Sequence, residues 1–283
     1  MANEEPQVLK SASFVYRLTL KKSISSTDKS PDDLVLEQGV QTKTKSVTDE
    51  VSYYVKLHGV KVNRKIYQPT EIEAELDFML ITNNTQSGMT APSFEAVSAM
   101  LLHRRVELDV IHVNRMQDST ETVNTGNSYT VAKNCYVYEI DPQLKRDKTG
   151  PLMFVKLSIF SMDKLMTLNK YSKAYVARKL GSGILKPESF TFGKDGENPL
   201  IETDITGLRF LKYYESVTYT KDGNKSTGYI PSEFIQPYLV QYNESFYDFM
   251  VRTSNRCGEF LYFEDGKLTL GLRDSGEPVR IDE

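Results

Sequence analysis

The richest run of chemical groups in the chain is Glu71, Glu73, Glu75 and Asp77, four carboxylates alternating with Ile72, Ala74, Leu76 and Phe78. A period of two places all four on one face of a strand. Neighbours on that face stand about 6–7 Å apart, within the roughly 5–10 Å that separates the acid and base of a glycosidase. An acid and a base need different surroundings to hold different pKa values, however, and these four are equivalent. The pattern predicts the wet face of a strand and no acid–base chemistry.

His58, His103 and His112 could be imagined as a metal triad, since imidazole is a common zinc ligand. They fall on a strand, a helix end and another strand, without the short spacing that marks a metal site in a sequence. Cys257 falls in the last turn of a predicted helix, where the dipole disfavours a thiolate, so it reads as a small apolar filler and not a nucleophile. Gly181-Ser182-Gly183 follows a helix and lacks the Gly-Lys-Ser/Thr pair of a phosphate loop. No catalytic residue, metal site or cofactor is expected, and the chain is not read as an enzyme.

The elements that would carry any function are clearest between Pro237 and Leu272. Pro237 to Tyr242 alternates as a strand, with Tyr238, Val240 and Tyr242 opposite Leu239 and Gln241. Asn243 is expected to cap a helix over about Glu244 to Arg256, with Glu244 in its first turn. Phe246, Phe249, Met250 and Thr253 form the apolar face of that helix, and Phe246, Phe249 and Met250 are its predicted core. Gly258 ends it in a left-handed cap. Phe260–Phe263 and Leu268–Leu272 then flank Asp265-Gly266, the strongest short hairpin signal.

Upstream, strands are predicted at Phe14–Leu20, Val51–Leu57, Glu71–Leu80, Val106–Val110, Tyr129–Ile140 and Leu152–Phe160. Gly59 ends the register of the second. Lys21–Thr48 reads as loop with a short edge piece at Leu34–Leu36, and Asn83–Pro92 as loop. Ser93 caps a helix through about Leu102 with Phe94, Val97, Met100 and Leu101 inward and basic His103, Arg104 and Arg105 at its end. Asp141-Pro142 to Gly150-Pro151 reads as a turn-rich connection. Strand, helix and meander suggest a closed or half-closed barrel. Further on, Ser172 is expected to cap a helix over Lys173–Leu180, and Leu208–Thr220, a turn at Asp222-Gly223 and Gly228–Ile230 to form a hairpin.

Composition agrees with a β-rich globular chain. Seventeen Tyr and thirteen Phe with no Trp, mostly at alternating positions, suit strands with one packed and one wet face. At 283 residues, one or two domains are expected. A formal net charge of −3 argues against a broad electrostatic footprint for nucleic acid. No apolar run approaches the ~20 residues of a membrane span, and the acidic, polar N-terminus lacks the form of a signal peptide, which suggests a cytoplasmic start. Cys135 and Cys257 have no partner pattern and fit a reducing compartment.

Gln241-Tyr242-Asn243-Glu244-Ser245 with Phe249, Arg252 and Gly258-Glu259-Phe260 resembles the hub segment of the VgrG family of type VI secretion spike proteins, where a QY-x-ES motif precedes an amphipathic helix that ends in glycine. Leu165–Leu185 (LMTLNKYSKAYVARKLGSGIL) is loosely similar to the connector between that family's two barrels. LHGVKVN at Leu57–Asn63 looks like its early strand. The Lys-rich turns and many tyrosines are similar to the form found in Bacteroidetes. The resemblance implies a mainly β (α+β), phage tail-hub-like fold: two related β-barrel hub domains with short amphipathic helices. The expected division is a polar tail over 1–13, a first hub barrel over 14–160, and a connector with an incomplete second hub domain over 161–283. The chain ends before an OB-fold or β-helical needle and so is expected to be a fragment. Function by resemblance is structural: a homotrimeric baseplate hub that seats a hexameric Hcp-type tube, meets baseplate proteins and carries possible effectors. It would assemble in the cytoplasm and leave the cell with the spike. Two alternatives from other classes stand beside it: a small-ligand or glycan-binding β-barrel that uses aromatic strand faces, and a hydrolase built on the acidic strand.

Overall fold

The computed structural model describes residues 9–21, 33–45, 52–80, 93–116, 122–147, 150–176, 194–195, 198–199, 201–207, 216–221, 223–229 and 238–271. The chain divides into two compact units, Met1–Asn63 with Glu71–Ser161, and Arg64–Thr70 with Met162–Glu283.

The first unit is one antiparallel sheet of β1 (Leu9–Leu20), β2 (Leu34–Glu37), β3 (Gln41–Lys45), β4 (Ser52–Asn63), β5 (Glu71–Leu80), β6 (Arg105–Met116), β7 (Thr122–Asp147) and β8 (Gly150–Ser161), with helix α1 at Phe94–Leu101. The strand order is β2-β1-β6-β7-β8-β5-β4-β3, so β2 and β3, neighbours in the chain, stand at opposite ends of the sheet. The sheet curls until these ends meet, and a parallel bridge joins Gln38 to Leu57. The result is a nearly closed barrel. Alternation explains what fills it: Tyr53, Val55 and Leu57 of β4, Ile72, Ala74, Leu76 and Phe78 of β5, and Val155, Leu157 and Ile159 of β8 all turn into one core. Ala96, Val97, Met100 and Leu101 of α1 join the same core. The interior is therefore occupied by side chains, as in small barrels generally.

Several boundaries differ from the sequence reading. β1 begins at Leu9 instead of Phe14, because Leu9–Leu20 pairs along Met116–Val106 and the partner strand overrides a polar local composition. Gln41–Lys45, expected as loop, is an edge strand against β4; its Lys43 and Lys45 are the charged residues that blunt a free edge. The register shifts at Gly59 as expected, but β4 continues to Asn63. Asp141–Asp147, expected as a turn-rich connection, stays in register with Gly150–Lys156, so the two strands form one long hairpin. Asn83–Pro92 lies outside the described residues. Ser93 does cap α1, accepting from the Ala96 N–H at 3.1 Å. Phe94 does not turn inward and is 53% exposed. At 100° per residue it points about a quarter-turn from the centre of the stripe made by Ala96, Val97, Met100 and Leu101. Arg104, expected as positive charge at the helix end, is buried; its Nη1 donates to the Met100 carbonyl at 3.4 Å and its Nε to the Lys21 carbonyl at 2.9 Å.

The second unit contains a 3-10 turn at Met162–Thr167, β9 (Lys170–Val176), β10 (Lys194–Asp195), β11 (Asn198–Pro199), β12 (Glu202–Gly207), β13 (Ser216–Lys221), β14 (Asn224–Tyr229), β15 (Tyr238–Ser245), helix α2 (Phe246–Cys257), β16 (Leu261–Glu264) and β17 (Lys267–Gly271). β9 pairs antiparallel with β15, β13 with β14, and β10 with β11; β12-β17-β16 form a three-stranded sheet. The helix expected over Lys173–Leu180 is not formed over its first part, since Lys173–Val176 is strand paired with Tyr238–Gln241; 177–180 lie outside the described residues. Of the expected strand Leu208–Thr220, only Ser216 onward is described, and it pairs with β14 as predicted. The Asp-Gly hairpin forms as read: Asp265 and Gly266 both take positive φ (50° and 78°), the left-handed pair that a two-residue hairpin turn requires.

Candidate functional site

The expected motif residues converge on the junction where β15 becomes α2. Between Gln241 and Glu244 the register against β9 shifts, so that Tyr242 and Asn243 share the place opposite Ser172. Asn243 sits at the bulge with φ 46°, a left-handed conformation that asparagine tolerates better than most residues. Its N–H donates to Ser172 Oγ at 3.1 Å. Asn243 was expected as the helix cap, and Ser172 as the cap of another helix; the bulge gives both a different task. Ser245 is the cap instead, accepting from the Asp248 N–H at 3.0 Å while its hydroxyl donates to Asp248 Oδ2 at 2.6 Å. This Ser-x-x-Asp pairing is a shorter relative of the capping box, and its spacing was present in the sequence.

The other motif residues, Tyr242 apart, steady this bend. Gln241 is fully buried, and its Nε2 donates to the Glu244 carbonyl at 3.0 Å, spanning the bulge from inside. The Tyr175 hydroxyl donates to Gln241 Oε1 at 3.4 Å. Glu244, still in the strand and not in the helix's first turn, holds Arg252 of α2 at 2.6 Å. The same Arg252 Nη2 donates to the Val240 carbonyl at 2.7 Å, and the guanidinium lies 5.4 Å from the centre of the Phe249 ring. Arg252 thus binds strand and helix together. At that end Gly258 takes φ 69°, its N–H donating to the Asn255 carbonyl at 3.1 Å and the Glu259 N–H to the Ser254 carbonyl at 2.9 Å.

Phe246, Phe249 and Met250 are fully buried, as their spacing predicts. Tyr175 stacks on Phe249 with centroids 5.3 Å apart. Burial pushes the Tyr175 phenol up to about 12, with Tyr171 adding to the shift. Burial also raises the Tyr171 phenol, and its hydrogen bond to Gln241 opposes that. The Tyr247 phenol is driven up furthest, by burial first and then by the Asp163 carboxylate beside it. Tyr242, in contrast, is 77% exposed. On that outer face it follows Tyr238 and Val240 in the alternation, with Val176 paired to Tyr238 and Ala174 to Val240.

The acidic strand is a solvent-facing ladder of cross-strand polar pairs. Glu73 meets Lys61 Nζ at 3.3 Å, Asp77 meets His58 Nε2, and Glu75 stands in register with Lys156 of β8. The three histidines sit in separate settings. His58 pairs with Asp77, His103 is an exposed turn residue with φ 61°, and the His112 ring lies 5.2 Å from Phe14. Among the described residues no group of three or more His, Cys, Asp or Glu is placed to hold a metal ion, and no helix is long and apolar enough to cross a membrane. Cys135 is buried, and Cys257 is the last residue of α2. Gly181–Gly183 lies outside the described residues.

No protein-family model matches the chain, and no curated protein matches its sequence. Solved structures do align with it. A PdpA–VgrG complex from Francisella in its lidded form aligns over 98% of this chain and 31% of its own, at 13% identity and a TM-score of 0.47. The 43 kDa tail protein of prophage MuSo2 from Shewanella oneidensis aligns over 77% of this chain and 53% of its own, at 10% identity and a TM-score of 0.41. The E. coli c3393 protein, described as a type VI secretion component similar to bacteriophage T4 tail proteins, aligns over 79% of this chain and 50% of its own, at 9% identity and a TM-score of 0.38. The chain spans about a third of the length of the Francisella chain.

Proposed function

We propose that this chain is a structural hub segment of a VgrG-like spike in a contractile injection machine, working through shape and surface and not through catalysis. The observation that carries the reading is that most of the motif residues on which the family resemblance rests serve to fix one bend. Gln241 spans the bulge, Glu244 and Arg252 clamp strand to helix, Ser245 caps, Phe249 fills the core and Gly258 terminates. Tyr242 is 77% exposed beside the exposed Asn243 of the bulge, and this outer face is the one open to a neighbour. Under this proposal three copies in the full-length protein form a ring that presents pseudo-sixfold symmetry to a hexameric Hcp-type tube. Baseplate proteins and effectors would be further partners, and the ring would assemble in the cytoplasm before delivery. A Bacteroidetes origin for this form of the family is part of the same proposal.

A small ligand held inside the barrel is the weaker alternative, because Leu, Ile, Val and Phe side chains occupy the interior. Electron microscopy of the chain, alone and within the full-length protein, tests the hub reading. Trimeric rings of sixfold-like outline that bind a hexameric tube protein are expected. A full-length protein that stays monomeric and shows no tube affinity would sink it.

A further inference from the structure

We infer that the barrel of the first unit is latched at one corner and opens there first, with Gln38 as the latch. β2 and β3 are the two ends of the sheet, and no ladder pairs them among the described residues. Across the seam between them, the Thr42 hydroxyl donates to the Val35 carbonyl at 3.3 Å. The corner at Gln38 does the rest. Its N–H donates to the Tyr16 carbonyl at 2.9 Å, and its Oε1 accepts from the Tyr16 N–H at 3.4 Å. Its Nε2 donates to the His58 carbonyl at 3.0 Å, and the next N–H, of Gly39, donates to the Leu57 carbonyl at 2.9 Å. One side chain therefore ties β1 to β4, strands that the sheet order otherwise separates by β6, β7, β8 and β5.

The contrast with the rest of the sheet gives the inference its force. β8 is hydrogen-bonded on both sides, to β5 from Met153 to Phe160 and to β7 along its whole length. Releasing it breaks two ladders and opens the core. Releasing the corner breaks the few bonds just named and no ladder. Gly39 and Val40 beside the latch are exposed, so water can replace those bonds at once. Segments with few, solvent-near hydrogen bonds open at lower free energy than core strands. Opening at this corner would bare the facing edges of β2 and β3 while Leu34 and Leu36 stay on β1.

Amide hydrogen exchange on the whole purified chain, read by mass spectrometry, decides it. In the unsubstituted protein, residues 38–40 should exchange faster than residues 153–160. Gln38→Ala should speed exchange at 38–40 and at Tyr16, the N–H groups the latch holds, by about tenfold, the effect of one or two lost hydrogen bonds, and leave 153–160 within about twofold. Thr42→Val, which removes only the hydroxyl across the seam, should give a smaller acceleration confined to 34–45. Unchanged exchange at 38–40 and at Tyr16 in Gln38→Ala overturns the proposal. So does a rise of equal size at 153–160, or failure of that variant to fold, since the ladder is held to stand without the latch.

Discussion

Arg252 and Glu244 meet at 2.6 Å across the joint between a strand and the helix that grows out of it. The pair is partly exposed, with side chains 40% and 20% accessible, and the guanidinium also serves the Val240 carbonyl. Ion pairs with that much solvent contact contribute little through charge alone. What this one adds is a tie between strand and helix across the bulge at Asn243. Arg252→Ala should lower unfolding free energy by about 1–2 kcal/mol in urea titration, counting the lost carbonyl bond. In a double-mutant cycle with Glu244→Gln the coupling should be on the order of 0.5–1 kcal/mol. Zero coupling would show that the two residues act separately.

Phe249 is the centre of the second unit's helix packing, fully buried and stacked against Tyr175. Phe249→Ala should cost on the order of 3–5 kcal/mol and lower the melting temperature visibly in calorimetry. A melt that does not move would remove Phe249 from the core.

Ser245 and Asn243 divide a task that the sequence reading gave to Asn243 alone. Ser245→Ala should therefore destabilise by about 1 kcal/mol, and Asn243→Ala should act through the strained bulge and not through the helix end. Asn243→Gly tests the turn: it should be neutral or stabilising, because glycine takes a left-handed backbone without a Cβ penalty. A clear loss would mean that the Asn243 side chain itself holds the bulge.

How much of this was readable from residues alone depends on how local the cause is. β5 is legible to the residue because Glu71–Leu80 alternates without interruption. The Asp265-Gly266 turn and the Gly258 stop were found because each needs a left-handed backbone at one defined place. The helix start is ambiguous in the sequence because Asn243 and Ser245 are both good caps, and what chooses between them is the pairing of Glu244 with Tyr171 on a distant strand. Lys173–Val176 reads as helix for the same reason: its local composition suits either state, and β15 decides. Arg104 shows the limit most clearly, since nothing in its sequence neighbours announces that the Lys21 carbonyl will be waiting for it. The attachment of the Tyr67 hydroxyl to the Glu259 carbonyl, 2.7 Å apart across 192 residues of chain, is equally silent in the sequence.

The paired charges on β5 bear on the hydrolase alternative. Lys61 stands against Glu73, and Lys156 lies in register with Glu75, on a wet face. Cross-strand pairs of this kind contribute a few tenths of a kcal/mol each. Glu73→Gln with Glu75→Gln should shift stability by less than about 1 kcal/mol in denaturant titration and leave any ring assembly intact. A glycosidase activity that the wild type shows and this double variant loses would return the acidic strand to consideration.

Alkaline pH tests the buried tyrosines. Tyr175 ionises near 10 in an unfolded chain and at about 12 in the folded one, and Tyr171 and Tyr247 are raised as well. Raised folded values mean that the native state keeps protons the unfolded state has lost. Their contribution to stability is complete below pH ~10 and falls as pH climbs from there through ~12. Unfolding free energy, measured by denaturant titration in steps from pH 9 to 11.5, should be level at first and then decline. Tyr175→Phe removes one of the titrating groups and should make that decline shallower, at the cost of the hydrogen bond to Gln241 at every pH. An equal slope in both proteins would mean that the Tyr175 phenol is open to water in solution, and the stacking on Phe249 would lose its place in the joint.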